Sequence, residues 1–112
     1  MGFNKYNAKM DRRRRSKKER ERAVELKLME REGQIHNLSE QVRFVLLPAQ
    51  FDKNGKLILQ RMEYWADFTY YDEAGNFVVE DVKGYKGGEA YKLFLAKKKV
   101  MYYMKNILIK ET

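Results

Sequence analysis

The sequence predicts an α+β domain in which a helix, a mostly antiparallel central sheet, a second helix and a short final strand follow one another. Three features carry that expectation. Ser16 with Glu19 three residues later is a capping-box signature ahead of an apolar stripe. Residues 64–71 and 77–83 are runs of aromatic and β-branched residues on either side of a polar stretch containing Gly75. Residues 89–104 then show a helical apolar period, with the short apolar run 107–109 after it.

The elements can be justified in chain order. Residues 1–15, with Gly2, two asparagines and a run of arginines, have no sustained apolar period and read as a flexible basic arm; residues 16–112 read as a single domain. The first helix starts at Ser16, carries Ala23, Val24, Leu26, Leu28 and Met29 as its apolar stripe, and stops at Gly33. Residues 35–38 read as a connector and 42–47 as a strand ended by Pro48. Asn54-Gly55 is a hairpin signal, with 56–62 as the returning strand. The loop 84–88, the helix 89–104 and the strand 107–109 complete the chain.

The hairpin between residues 64 and 83 decides where the charged side chains meet. A three-residue loop needs a residue tolerant of positive φ at its last position, and Gly75 fills it if residues 73–75 form the loop. Thr69 then faces Val79, Asp67 faces Asp81 and Trp65 faces Lys83, so that Asp67, Asp81 and Lys83 project from one side of the sheet. A slip of one residue would put Glu80 opposite Asp67 instead. In the favoured register Glu80 points to the other face, solvated or paired with a helix cation. Two aspartates opposite each other destabilise a strand pair unless something positive lies between them, and a divalent metal ion is the species that fits.

Composition sets the outer limits. A chain of 112 residues suits one domain, and its 44% hydrophobic content allows a core. No apolar run reaches membrane-span length and no signal peptide is visible, so a cytoplasmic protein without membrane contact is expected. With no cysteine and one histidine, disulfides, thiolate sites and His-based zinc sites are excluded, and carboxylates remain as metal ligands. Charge is concentrated at one end: residues 1–22 hold ten Lys or Arg against three acids, a net +7 out of +8 for the whole chain. Such an arm suits phosphate contact and salt-sensitive binding to nucleic acid. A solvated tail is the plainer alternative.

Asp67 followed fourteen residues later by Asp81-Val82-Lys83 on the next strand, then a helix, resembles the core of the PD-(D/E)XK nuclease superfamily, with Ala66-Asp67 in place of its proline and aspartate. More closely, Ser16-Lys17-Lys18-Glu19, Arg22, Glu25-Leu26, Gly33-Gln34-Ile35, Leu38, Gln41, Ala66-Asp67-Phe68 and Val79 to Gly84 are similar to a family of small phage and prophage proteins of unknown function placed among these nucleases, which also resemble phage junction-resolving endonucleases. The resemblance covers about residues 5–112. It implies a restriction-endonuclease-like α+β (α/β) core, a Mg²⁺-dependent endodeoxyribonuclease with Mn²⁺ as substitute, and DNA, including branched DNA, as substrate. A phage-encoded enzyme would act in the host cytoplasm, without a small-molecule cofactor, and cutting both strands symmetrically would need a homodimer.

Carried over residue by residue, the resemblance makes Asp67 and Asp81 metal ligands, Lys83 the group that positions or activates water, and Glu19 a further ligand from the first helix. Hard oxygen donors suit Mg²⁺, which completes its shell with water and phosphate. Each role has a plainer rival: Asp67 as a backbone acceptor, Asp81 with Lys83 as an ordinary ion pair, Glu19 as a helix cap. Gln41 is an auxiliary candidate, able to touch substrate or only a strand edge. Arg12, Arg13, Arg14, Arg15, Lys17, Lys18, Tyr85 and Lys86 are the candidate nucleic-acid contacts, with Lys92, Lys97, Lys98 and Lys99 as an extension along the last helix. His36 reads as exposed or capping, and the remaining tyrosines, Tyr64 among them, as packing. The alternative function is a non-catalytic nucleic-acid-binding protein on the same fold.

Overall fold

Ser16 opens the first helix as its signature predicts: its hydroxyl accepts from the Glu19 N–H at 3.1 Å, and helix α1 runs Lys17–Arg31. A computed structural model describes residues 15–112. Ala23 and Leu26 are buried and Met29 packs beside them. Val24 and Leu28, expected in the same stripe, are exposed instead. At about 100° per residue, positions 19, 22, 23, 26 and 29 share one side of the helix, while 24 and 28 fall on the other.

The predicted connector and strand are one element, β1, His36–Leu47. Two residues in the left-handed region, Asn37 (φ 57) and Gln41 (φ 54), interrupt it, and these breaks erase the two-residue alternation that would have marked a single strand in the sequence. Next, β2 (Gln50–Phe51) and β3 (Leu57–Leu59) form a ribbon. The Asp52 carboxylate closes its turn by accepting from the Asn54 and Lys56 N–H groups. The expected return strand 56–62 is therefore divided between β3 and the start of β4, Met62–Tyr71. Phe51, Leu57, Ile58 and Leu59 are all exposed on the ribbon.

Strand β5, Phe77–Asp81, pairs with β4 in the predicted register, with Thr69 opposite Val79 and Phe68 opposite Glu80. Gly75 takes φ 87, and the Asp72 N–H donates to the Asn76 carbonyl. Helix α2, Gly88–Lys105, leads through Asn106 in the left-handed region to β6, Lys110–Glu111. The last strand was expected at 107–109. Ile109 is instead buried in the core below α2, and the chain reaches the sheet edge one residue later. Among the described residues the sheet order is β1-β4-β5-β6, antiparallel except for β5 with β6. The fold is thus α+β with two helices and a mostly antiparallel sheet.

Each helix covers one face. Phe68, Tyr70, Val78 and Val82 pack with Ala23 and Leu26 of α1, whereas Tyr64, Ala66, Val79 and Ile109 pack with Phe94 and Met101 of α2. Even-numbered residues of β4 therefore change sides between Ala66 and Phe68. The slip falls at Asp67, beside the left-handed Gln41 of β1, whose neighbours Glu40 and Val42 pair with Phe68 and Ala66. An ordinary strand would show Asp67 to one helix only.

Glu80 ties the α1 face together. It is fully buried, and Arg22 reaches both its oxygens, Nη2 to Oε2 at 3.1 Å. The Tyr70 hydroxyl donates to it at 2.7 Å and the Thr112 hydroxyl at 3.1 Å. Burial alone would raise the Glu80 pKa, but Arg22, Tyr70 and Thr112 outweigh it and hold the carboxyl below its usual range. The helix-cation expectation for Glu80 is met, and solvation is not. Removing one partner of a buried pair strands the other charge. Arg22→Ala should therefore lower unfolding free energy by about 3–5 kcal/mol in urea denaturation, while Val24→Ala on the exposed side should change it by less than about 0.5 kcal/mol.

Candidate active site

At the end of the β4–β5 pair the hydrogen-bond ladder gives way to side chains. The Asp67 Oδ2 accepts from the Val82 N–H at 2.8 Å, doing what a strand carbonyl would do and fixing its carboxylate against β5. Its Oδ1 accepts from the Gln41 Nε2 at 3.3 Å, and the same amide nitrogen donates to Glu19 Oε2 at 3.0 Å. Gln41 thus stands between a carboxylate on α1 and one on β4. Its left-handed backbone, costly for a non-glycine residue, directs the amide there.

Asp81 is 6% exposed and faces Asp67. Burial, then the adjacent Asp67 carboxylate, push its carboxyl from an ordinary value of 3.8 up to about 7, while Lys83 acts in the opposite direction. Glu19 is raised as well, by burial first and by the Asp67 charge second. Lys83 holds its Nζ 3.1 Å from Asp81 Oδ2 and 3.7 Å above the centre of the Phe94 ring. Its backbone is secured on both sides: the N–H donates to the Thr112 carbonyl, and Lys18 Nζ donates to its carbonyl at 2.6 Å.

The structure thus brings Asp67, Asp81, Lys83, Gln41 and Glu19 into one connected row. Among the described residues no three acidic or histidine side chains are grouped to hold a metal ion. Asp67 is the shared neighbour, its carboxyl interacting with Asp81 on one side and with Glu19 on the other. The Asp67 and Asp81 carboxylates are hard oxygen donors of the kind Mg²⁺ takes, so in their chemistry the residues present fit the ion.

The expected nucleic-acid contacts are spread out. Arg12, Arg13 and Arg14 lie outside the described residues. Arg15 is half-buried, its guanidinium on Glu19 (2.9 Å) and Glu40 (2.6 Å) and 5.5 Å from the centre of the Phe68 ring. Lys17 is exposed beside Glu21. Tyr85 is 80% exposed, Lys86 lies 3.7 Å from Glu111, and Lys98 is bound to the same glutamate. A hollow of about 690 Å³ between α1 and the sheet edge, lined by Lys18, Glu21, Arg22, Glu25 and Lys110, excludes the two aspartates. The smaller cleft of about 330 Å³ reaches Asp81 and Lys83 and is lined also by Tyr64, Trp65 and Lys97. Tyr64 reads as a packing residue in the sequence because aromatic strand positions are ordinary core positions, and Trp65 is given no role there.

A family model described as "Protein of unknown function (DUF1064)" matches residues 3–110. The chain belongs to this family. No curated protein and no solved structure matches the DUF1064 chain. Among its described residues no helix is long and apolar enough to cross a membrane.

The raised carboxyls give a stability signature. Asp81 stays protonated in the folded chain where the unfolded chain has lost that proton, so its contribution is complete below about pH 4 and disappears as pH rises towards 7. Glu80 and Glu111 are lowered from 4.5 and do not contribute across this window. In EDTA, the Tm measured by circular dichroism should fall by several degrees between pH 5 and pH 8. Asp81→Asn should flatten that decline, and a flat profile for the unsubstituted protein would contradict the assigned carboxyl pair.

Proposed function

We propose that this protein is a Mg²⁺-dependent endodeoxyribonuclease, with Mn²⁺ as a working substitute, acting on branched or recombination-intermediate DNA in the cytoplasm of a phage or prophage host. The observation that supports it most is the close approach of Asp67 and Asp81 with Lys83 beside them. Like charges at a strand end cost stability that an ordinary ion pair would not demand. The resemblance to the PD-(D/E)XK superfamily supports the same residues in the same order, and the preference for branched DNA rests on that resemblance alone.

Asp67 and Asp81 are the residues that would hold the ion. When bound, a divalent cation supplies charge opposite the phosphate and lowers the pKa of water. The rest belongs to the chain. Gln41 keeps the Glu19 and Asp67 carboxylates at fixed separation, Lys83 offers an ammonium to a phosphate oxygen as negative charge grows there, and Phe94 beneath it restricts where that ammonium can go. Net hydrolysis adds a water oxygen to phosphorus and breaks one P–O ester bond. The basic residues 1–22 supply salt-sensitive attraction to the phosphate backbone. Cutting both strands of a branch would take two copies of the chain.

The test is a nicking assay on linear, flapped and four-way DNA in Mg²⁺, in Mn²⁺ and in EDTA. Metal-dependent nicking should occur, and Asp81→Asn and Lys83→Ala should each reduce its rate on the order of 10²–10³-fold while DNA binding persists. If wild type and Asp67→Ala bind DNA equally and neither nicks with either metal, the protein is a DNA-binding protein without cleavage.

A further inference from the structure

The cleft beside Lys83 holds two features that hydrolysis by Asp67, Asp81 and Lys83 does not use. The first is Trp65. It is 46% exposed although it is the neighbour of a buried residue on a central strand, and it lines the cleft together with Leu93 of α2. The second is Lys97, which lines the cleft as well, and among the described residues no carboxylate lies in salt-bridge range of it.

An aromatic face and an uncompensated ammonium around a hollow of about 330 Å³ match the parts of one nucleotide. A flat π-surface takes a base, and the cation takes phosphate oxygens. A base stacked inside a duplex cannot reach such a wall. We propose that this cleft seats a nucleotide neighbouring the scissile phosphate, with its base out of the helical stack against Trp65 and its phosphate on Lys97. The substrate class is therefore DNA with an unpaired nucleotide beside the cut, such as a flap or a branch point. This deepens the nuclease reading and rests on it for the position of the cut, whereas binding in the cleft needs neither metal nor cleavage.

Trp65 is the one tryptophan in the chain, so its emission reports on this wall alone. The full-length protein in EDTA is titrated with a short oligothymidylate, with a flapped duplex and with a blunt duplex, and Trp65 fluorescence is read beside the anisotropy of labelled DNA. The expected result is quenching by oligothymidylate and flap and little by the blunt duplex. Trp65→Ala should weaken oligothymidylate binding about tenfold by anisotropy, Trp65→Phe less, and Lys97→Ala should weaken it severalfold and flatten its salt dependence. If DNA binds by anisotropy while Trp65 emission is unchanged, or if Trp65→Ala and Lys97→Ala bind as wild type, the cleft proposal falls and metal-dependent nicking still stands. Quenching with these mutational effects but without nicking in Mg²⁺ sustains the cleft and removes the nuclease.

Discussion

A carboxylate with no access to water stands at the centre of the α1 face, and among the described residues its one full countercharge comes from that helix. Glu80 is held by Arg22 together with the Tyr70 and Thr112 hydroxyls, so α1, β4, β5 and the end of the chain share one buried network. Glu19 and Lys18 lie within about one turn of Arg22, and their contacts with Gln41 and with the Lys83 carbonyl depend on how that guanidinium sets the helix on the sheet. Buried ion pairs add little net stability but penalise every arrangement that separates them. Here the penalty fixes the orientation of α1, and through it one end of the acidic row.

The opposite face is organised by repulsion. Asp67 is fastened to the Val82 N–H and cannot swing away from Asp81, and Asp81 is too buried for water to screen the pair. Lys83 relieves part of the cost from one side. The adjacent residues Glu80 and Asp81 thus face opposite layers, one carboxyl held below its usual range and the other raised above it. A difference of one position in a strand separates a carboxyl kept charged by its partners from one that burial and a like neighbour favour protonated.

Much of this was legible in the sequence, for identifiable reasons. The hairpin register followed from Gly75, since one loop length alone places a glycine where φ must be positive, and that register brought Asp67, Asp81 and Lys83 together. Ser16 and Glu19 marked the helix start through a local hydrogen bond. Other features depend on packing across the chain, which no window of residues contains. Val24 and Leu28 are apolar yet exposed. Asn37 and Gln41 break β1 without a glycine to signal it. The side change at Asp67 is invisible in a pattern of alternating residues.

Gln41 shows how such a site resists simplification. Glycine would adopt φ 54 at no cost, whereas glutamine there carries a penalty of roughly 1–3 kcal/mol. A sequence selected for thermal resistance alone would drift towards glycine at position 41 and relax the kink in β1. It would then lose the single amide nitrogen that spans Glu19 and Asp67. The protein's most economical backbone and its most ordered acidic row are therefore different molecules, and efforts to harden one will blunt the other.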